Sequence, residues 1–323
     1  MHPVTPVAID RREVSLAAWC CYSSANERIS LRVRCNDIET SVNIDVDRER
    51  LSRNLQIIAG ERSPFIGERH LAAVENFIKA EFENYGLDVE SDSLSYAGET
   101  FHNIIARLRP PGSDPLIIIG AHFDSVVGTP GADDNASGVA VLLETARLLS
   151  QIALATQVLF CAFNLEELNM IGSAAFARKL KAAGKKVTAM ISLEMVGYTD
   201  SRPGSQMLPV GLSRFYPDRG DFIALIGNWR SNALLRKFAA GMRQVANLPV
   251  ETLSVPGKGM LIPAVRLSDH APFWDLGYPA LMITDTSFYR NPHYHGRTDT
   301  LDTLDMDFMA KVCEGVVRAI SAL

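Results

Sequence analysis

The sequence predicts an α/β protein: a single domain with a mixed, mostly parallel central sheet flanked by helices. Three observations carry that expectation. Four short apolar runs, 116–119 (LIII), 157–163 (QVLFCAF), 187–193 and 279–284, are β-branched-rich and too short for helices, the pattern of strands buried on both faces. Segments with apolar residues three or four apart alternate with them, as helices crossing between parallel strands require. Each run also leads to a cluster of histidine and carboxylate residues. In open α/β sheets the crevice at the carboxyl ends of the strands is where ligands bind.

From residue 47 the pattern is helical, with Leu51, Leu55, Ile57 and Ile58, and Gly60 interrupts it. After Gly67, Leu71, Val74, Phe77, Ile78 and Phe82 share a second helical face, with Gly86 placed to terminate it. Residues 87–96 and 101–108 read as strands, and Pro110-Pro111-Gly112 closes that unit. A helix over 137–150 follows the 116–119 strand, and one over 171–183 follows the 157–163 strand. Residues 197–220, rich in Gly, Pro, Ser and Arg, read as an irregular excursion on the active face. A short strand at 222–226, a helix over 232–245 and a strand at 250–255 come next. The loop 266–273 (RLSDHAPF) leads into a helical turn, and a helix over 305–323 ends the chain. Residues 28–46 alternate as in a hairpin, so 1–45 are set apart as an N-terminal extension and 46–323 as the catalytic domain.

The chain has 323 residues, of which 47% are hydrophobic, enough for a sizeable core. A net charge of -5 without a basic block argues against a nucleic-acid partner. No apolar run approaches the ~18 residues of a membrane span. Residues 1–24 lack a signal peptide's order of basic, apolar and small-residue segments, so the expectation for the chain as written is cytoplasmic. The five cysteines, Cys20, Cys21, Cys35, Cys161 and Cys313, are scattered and odd in number, and read as structural thiols.

The polar clusters carry the chemistry. The first strand delivers His122, Asp124 and Asp134, the second Glu166 and Glu167, the third Glu194, and the fourth reaches His293, His295 and Asp299. Imidazoles with several carboxylates suit a divalent metal, most often zinc, and the surplus of carboxylates suits two metals about 3.5–4 Å apart. Asp124, two residues beyond His122 in extended chain, shares its side and can fix the imidazole's tautomer. In extended chain Glu166 and Glu167 would point oppositely, one to metal and one to substrate water as general base. Taken singly, each cluster is also explained by a helix start, an Asx turn or a solvated loop.

The motifs GAHFDSV, GADDNASG, NLEELNMIGS, SLEMVGY, SDHAPFW and PHYHGRTDT occur in the order found in the M28 family of co-catalytic zinc peptidases, which the sequence resembles from residue 51 onward. The resemblance implies two zinc ions per chain and a peptide substrate. It makes His122 and Glu194 ligands of one zinc, Glu167 and His295 ligands of the other, and Asp134 the bridge. It makes Glu166 the general base, acting on a water shared by the metals, Asp124 the residue that orients His122, and Tyr294 the oxyanion donor. Asp133, His270 and His293 are then not ligands. Glu194 stands where many family aminopeptidases have Asp, with an extra methylene that still permits coordination. The activity implied is release of N-terminal amino acids, the alternatives being a glutaminyl cyclase-type enzyme, another amide hydrolase or carboxypeptidase, or a non-catalytic binding module. Neither HExxH nor GxSxG occurs. Met195, Phe273, Phe288 and Tyr289 are candidates for an apolar side-chain pocket.

Overall fold

The computed structural model describes residues 44–108 and 115–323. The hairpin expected over 28–46 falls outside these residues up to 43, as does the 110–112 turn. Ile44 and Val46 are unstranded and pack against the core.

The strands are β1 (Asp88–Tyr96), β2 (Glu99–Leu108), β3 (Leu116–His122), β4 (Gln157–Phe163), β5 (Val187–Glu194), β6 (Ile223–Asn228), β7 (Val250–Val255) and β8 (Ala280–Thr284). The helices are α1 (Arg48–Ile58), α2 (Glu68–Asn84), α3 (Gly138–Ser150), α4 (Ile171–Ala182), α5 (Asn232–Met242), α6 (His270–Asp275) and α7 (Met306–Ser321). All eight strands join one sheet in the order β1-β2-β4-β3-β5-β8-β6-β7. The middle four, β4-β3-β5-β8, run parallel, so their carboxyl ends lie side by side. The β1–β2 hairpin adds antiparallel on one side, and the parallel pair β6–β7 adds antiparallel on the other.

Strand alternation sorts the core into two layers. Ile117, Ile119 and Ala121 face one layer with side chains of α1, α2, α3, α5 and α7, while Leu116 and Ile118 face the other, with α4 and α6. The solid apolar runs therefore mean what they predicted: both faces of each middle strand are covered. The 232–245 helix ends three residues early, at Met242. The second hairpin strand begins at Glu99, because Ala97 and Gly98 turn the chain with φ of 51° and 89°. Residues 197–220 are irregular as expected, closed at their neck by a bridge between Asp200 and Gly220.

Candidate metal centre

His122 is the last residue of β3, still paired across the ladder with Phe163 of β4. Asp124 follows, fully buried, with Oδ1 3.6 Å from His122 Nδ1. It also accepts the backbone N–H groups of Glu166 at 3.0 Å and Glu167 at 3.1 Å. One carboxylate thus faces the imidazole and clamps the loop that carries the glutamate pair.

That loop corrects the extended reading of Glu166-Glu167. Leu165 has φ 60°, and Met170 N–H donates to Glu166 O, so the pair lies on a turn. Asn103 of β2 seats the turn, accepting Asn164 N–H at 3.0 Å and donating to Gly172 O at 3.1 Å. Gly172 is required by this close approach, since a Cβ there would collide with Asn164 O and Asn103 Oδ1.

Asp134 projects from an irregular turn, Ala132–Ser137, whose Asp134–Asn135 peptide is cis. Asp299 accepts the N–H groups of Asp133 at 2.8 Å and Asp134 at 3.1 Å. Asn135 donates to Leu193 O at 2.8 Å and accepts Met195 N–H at 3.0 Å, tying this turn to the end of β5. There Glu194 accepts a hydrogen bond from the Ser268 hydroxyl at 2.8 Å. His295 arrives on the loop after β8 with φ 54°, its ring stacked on Tyr294 at 3.7 Å between centroids.

These side chains form two trios that meet at one residue. His122 Nε2 lies 3.3 Å from Asp134 Oδ1 and 3.5 Å from Glu194 Oε1. His295 Nε2 lies 3.1 Å from Asp134 Oδ2 and 3.5 Å from Glu167 Oε2. In each trio the donor atoms fall within 4.8 Å of one another. Both ring nitrogens of His122 and Oε1 of Glu167 are buried without a hydrogen-bond partner. Buried polar atoms are normally paired, and orphaned nitrogens among carboxylates fit a cation held between them.

Electrostatics agree with crowded negative charge. Burial drives the Glu166 and Glu167 carboxyls well above their ordinary range; His122 opposes, and neighbouring carboxylates add to the rise. Burial raises Asp134 too, but His122 and His295 overcome it and hold the group below its usual value. Burial and the surrounding carboxylates push the Tyr294 hydroxyl up, so it remains a donor.

The structure keeps other expected bystanders out of the trios. Asp133 accepts Gly197 N–H at 3.0 Å and Asn291 Nδ2 at 2.7 Å, a scaffold role. His293 pairs through Nδ1 with Thr298 at 2.9 Å. His270 Nε2 lies 2.8 Å from Val265 O, and burial pushes its pKa down to about 3, leaving it neutral.

Sequence reasoning missed Arg62, Asn135 and Ser268. Arg62 is wholly buried and donates to five backbone carbonyls, those of Phe123, Ile58, Gly60, Pro130 and Gly131. It fastens the loop between His122 and Asp134, and burial lowers its pKa to about 10 against support from Asp124 and Asp134. Nothing near Arg62 in sequence marks such partners, which lie up to 69 residues away.

An apolar cavity of about 830 Å³, its open mouth included, adjoins Glu194 and Tyr294 and is lined by Phe222, Ile226, Met282, Phe288 and Tyr289 among others. Phe288 and Tyr289 are pocket residues as expected. Met195 and Phe273 are not: both are fully buried, and Phe273 packs in the second core layer against Phe163 and Tyr278.

Solved aminopeptidases share this fold. The LapA aminopeptidase of Legionella pneumophila superposes with a TM-score of 0.68 at 21% identity, covering 86% of this chain and 73% of that one. The glutaminyl cyclase of Porphyromonas gingivalis superposes at 0.61 with 22% identity, covering 86% and 97%. At these identities the likeness shows the fold alone. The sequence profile of Peptidase family M28 matches residues 103–320, and the chain belongs to that family of metallopeptidases. An uncharacterized Escherichia coli K12 protein, YfbL, is 44% identical over 258 residues, 76% of this chain and 78% of its own. Leucine aminopeptidase 1 of Arthroderma otae is 30% identical over 253 residues, covering 74% of this chain; the match spans 61% of the fungal enzyme's length.

Proposed function

We propose that residues 46–323 form the catalytic domain of a dizinc aminopeptidase that releases N-terminal amino acids from peptides. The observation that carries this reading is the pair of trios sharing Asp134. His122, Asp134 and Glu194 would hold one ion, and Asp134, Glu167 and His295 the other. Mixed nitrogen and oxygen donors of this kind suit zinc. Zinc bound there would supply Lewis-acid activation of water and of the scissile carbonyl.

The chain's own residues do the rest. Glu166 stands outside both trios, beside His122 and Glu194 in its electrostatic surroundings, and takes the proton of the attacking water. The same carboxyl group then passes that proton to the leaving amine. Tyr294, held protonated, donates to the developing oxyanion. Asp124 keeps His122 in register and the glutamate turn in place. The cavity beside Glu194 and Tyr294 receives the side chain of the departing residue. Among the described residues no helix is long and apolar enough to cross a membrane.

The test is cleavage of a leucyl peptide with a free amine beside the same peptide N-acetylated. Release from the free peptide alone, lost with chelator and restored by zinc, is the expected result. Cleavage of both, or of the blocked one alone, would contradict an enzyme that reads the free amine. Cleavage of neither, with ring closure of an N-terminal glutamine, would point to cyclase chemistry.

A further inference from the structure

The floor of the apolar cavity is one face of the sheet, and strand register fixes what lies along it. Glu194 on β5 pairs with Thr284 on β8, Thr284 with Ala224 on β6, and Ala224 with Glu251 on β7. Directly opposed residues in a ladder point to the same face. Glu194, Thr284, Ala224 and Glu251 therefore form a single row, and Ser192, Met282, Ile226 and Leu253 form the row behind it. With strands about 4.8 Å apart, the first row runs roughly 14 Å from Glu194 to Glu251. Ala224 contributes only a methyl group at its middle. The roof comes from the 197–220 excursion, which supplies Met207, Leu208 and Leu212. It is tied to the edge strand by Tyr216, whose hydroxyl donates to Thr252 O at 2.9 Å.

Two charged side chains line this cavity, Glu194 and Glu251, and they differ in their partners. Glu194 faces His122 and accepts from Ser268. The Glu251 side chain makes no hydrogen bond or ion pair with any described residue. The buried cation beside Phe222, Arg290, donates to Gln206 Oε1 at 2.9 Å and to Tyr198 O at 3.3 Å, and its charge is supported by Asp285, Asp133 and Asp221. Glu251 is thus an uncompensated carboxylate at the far end of an apolar trough, where low-dielectric walls concentrate its field.

We propose that Glu251 makes this cavity a site for a cationic side chain, so that the preferred N-terminal residue is lysine or arginine. Its methylene stem lies along Ala224, Ile226 and Phe288, and its ammonium or guanidinium group meets Glu251. Long cationic residues pack an apolar stem while keeping the charged head at a polar partner. A leucine side chain stops short and leaves the carboxylate in a partly dehydrated trough without a counter-charge. The proposal rests on the aminopeptidase reading above and adds the substrate class to it.

The experiment compares arginyl, lysyl and leucyl anilides with the zinc-loaded full chain. Wild type is expected to favour the basic substrates. Glu251→Gln should lower the arginyl-to-leucyl ratio of kcat/KM about tenfold or more, chiefly through the KM for the arginyl substrate, and Glu251→Lys should invert the preference. An unchanged ratio in both variants overturns the proposal. Calorimetric binding of L-argininamide and L-leucinamide supplies a second reading without turnover. Should none of the three anilides be cleaved, the aminopeptidase reading fails while the binding comparison still decides. Argininamide affinity weakened about tenfold by Glu251→Gln supports the cation site, and equal affinity in wild type and variant overturns it.

Discussion

Glu166→Gln is expected to lower kcat by about 10²–10⁴-fold, the range general-base catalysis contributes, with zinc content unchanged. The carboxamide keeps the size of the side chain and loses the capacity to take a proton. Glu166 belongs to neither trio, so metal binding should not depend on it. Its backbone N–H, which anchors the turn on Asp124, is untouched by the substitution. The check is steady-state hydrolysis beside metal analysis of the same preparation. Retention of full activity would remove Glu166 from the base role. Parallel loss of zinc and activity would instead make it a ligand.

Asp134→Ala should have the broader effect, because Asp134 alone belongs to both trios. Its two oxygens face different histidines, His122 at 3.3 Å and His295 at 3.1 Å. Removing it leaves each trio with one imidazole and one carboxylate, too few for tight zinc binding. Zinc after gel filtration should fall well below that of wild type, and activity by more than about 10²-fold. Circular dichroism establishes that the variant is folded, since the turn itself is held by backbone bonds to Asp299 and the Asn135 side chain. A variant that keeps the wild-type zinc content would show that Asp134 is not the bridge.

What the sequence made legible follows from which interactions are local. Solid apolar runs such as QVLFCAF marked buried strands because covering both faces of a strand leaves no polar alternation. The clustering of His122, Glu167, Glu194 and His295 followed, since parallel neighbours present their carboxyl ends together. The structure brings these residues together as two trios that share Asp134. Turn geometry was less legible. Glu166-Glu167 read as extended chain, whereas Leu165 at φ 60° folds it back, and that conformation depends on Asn103 and Asp124, 42 or more residues away. Arg62 was invisible for a related reason: three of its five partners are backbone carbonyls from distant loops, which carry no residue code. The row from Glu194 to Glu251 depends on the register of four strands and on β6 entering antiparallel to β8. No stretch of sequence records that register.

Whether two zinc ions share Asp134 can be read from anomalous diffraction at the zinc edge, using crystals of the zinc-loaded protein. Two peaks about 3.5–4 Å apart are expected, one against His122 and Glu194, the other against Glu167 and His295, with Asp134 between them. A single peak, or zinc carried by His270 or His293 instead, would contradict the shared bridge.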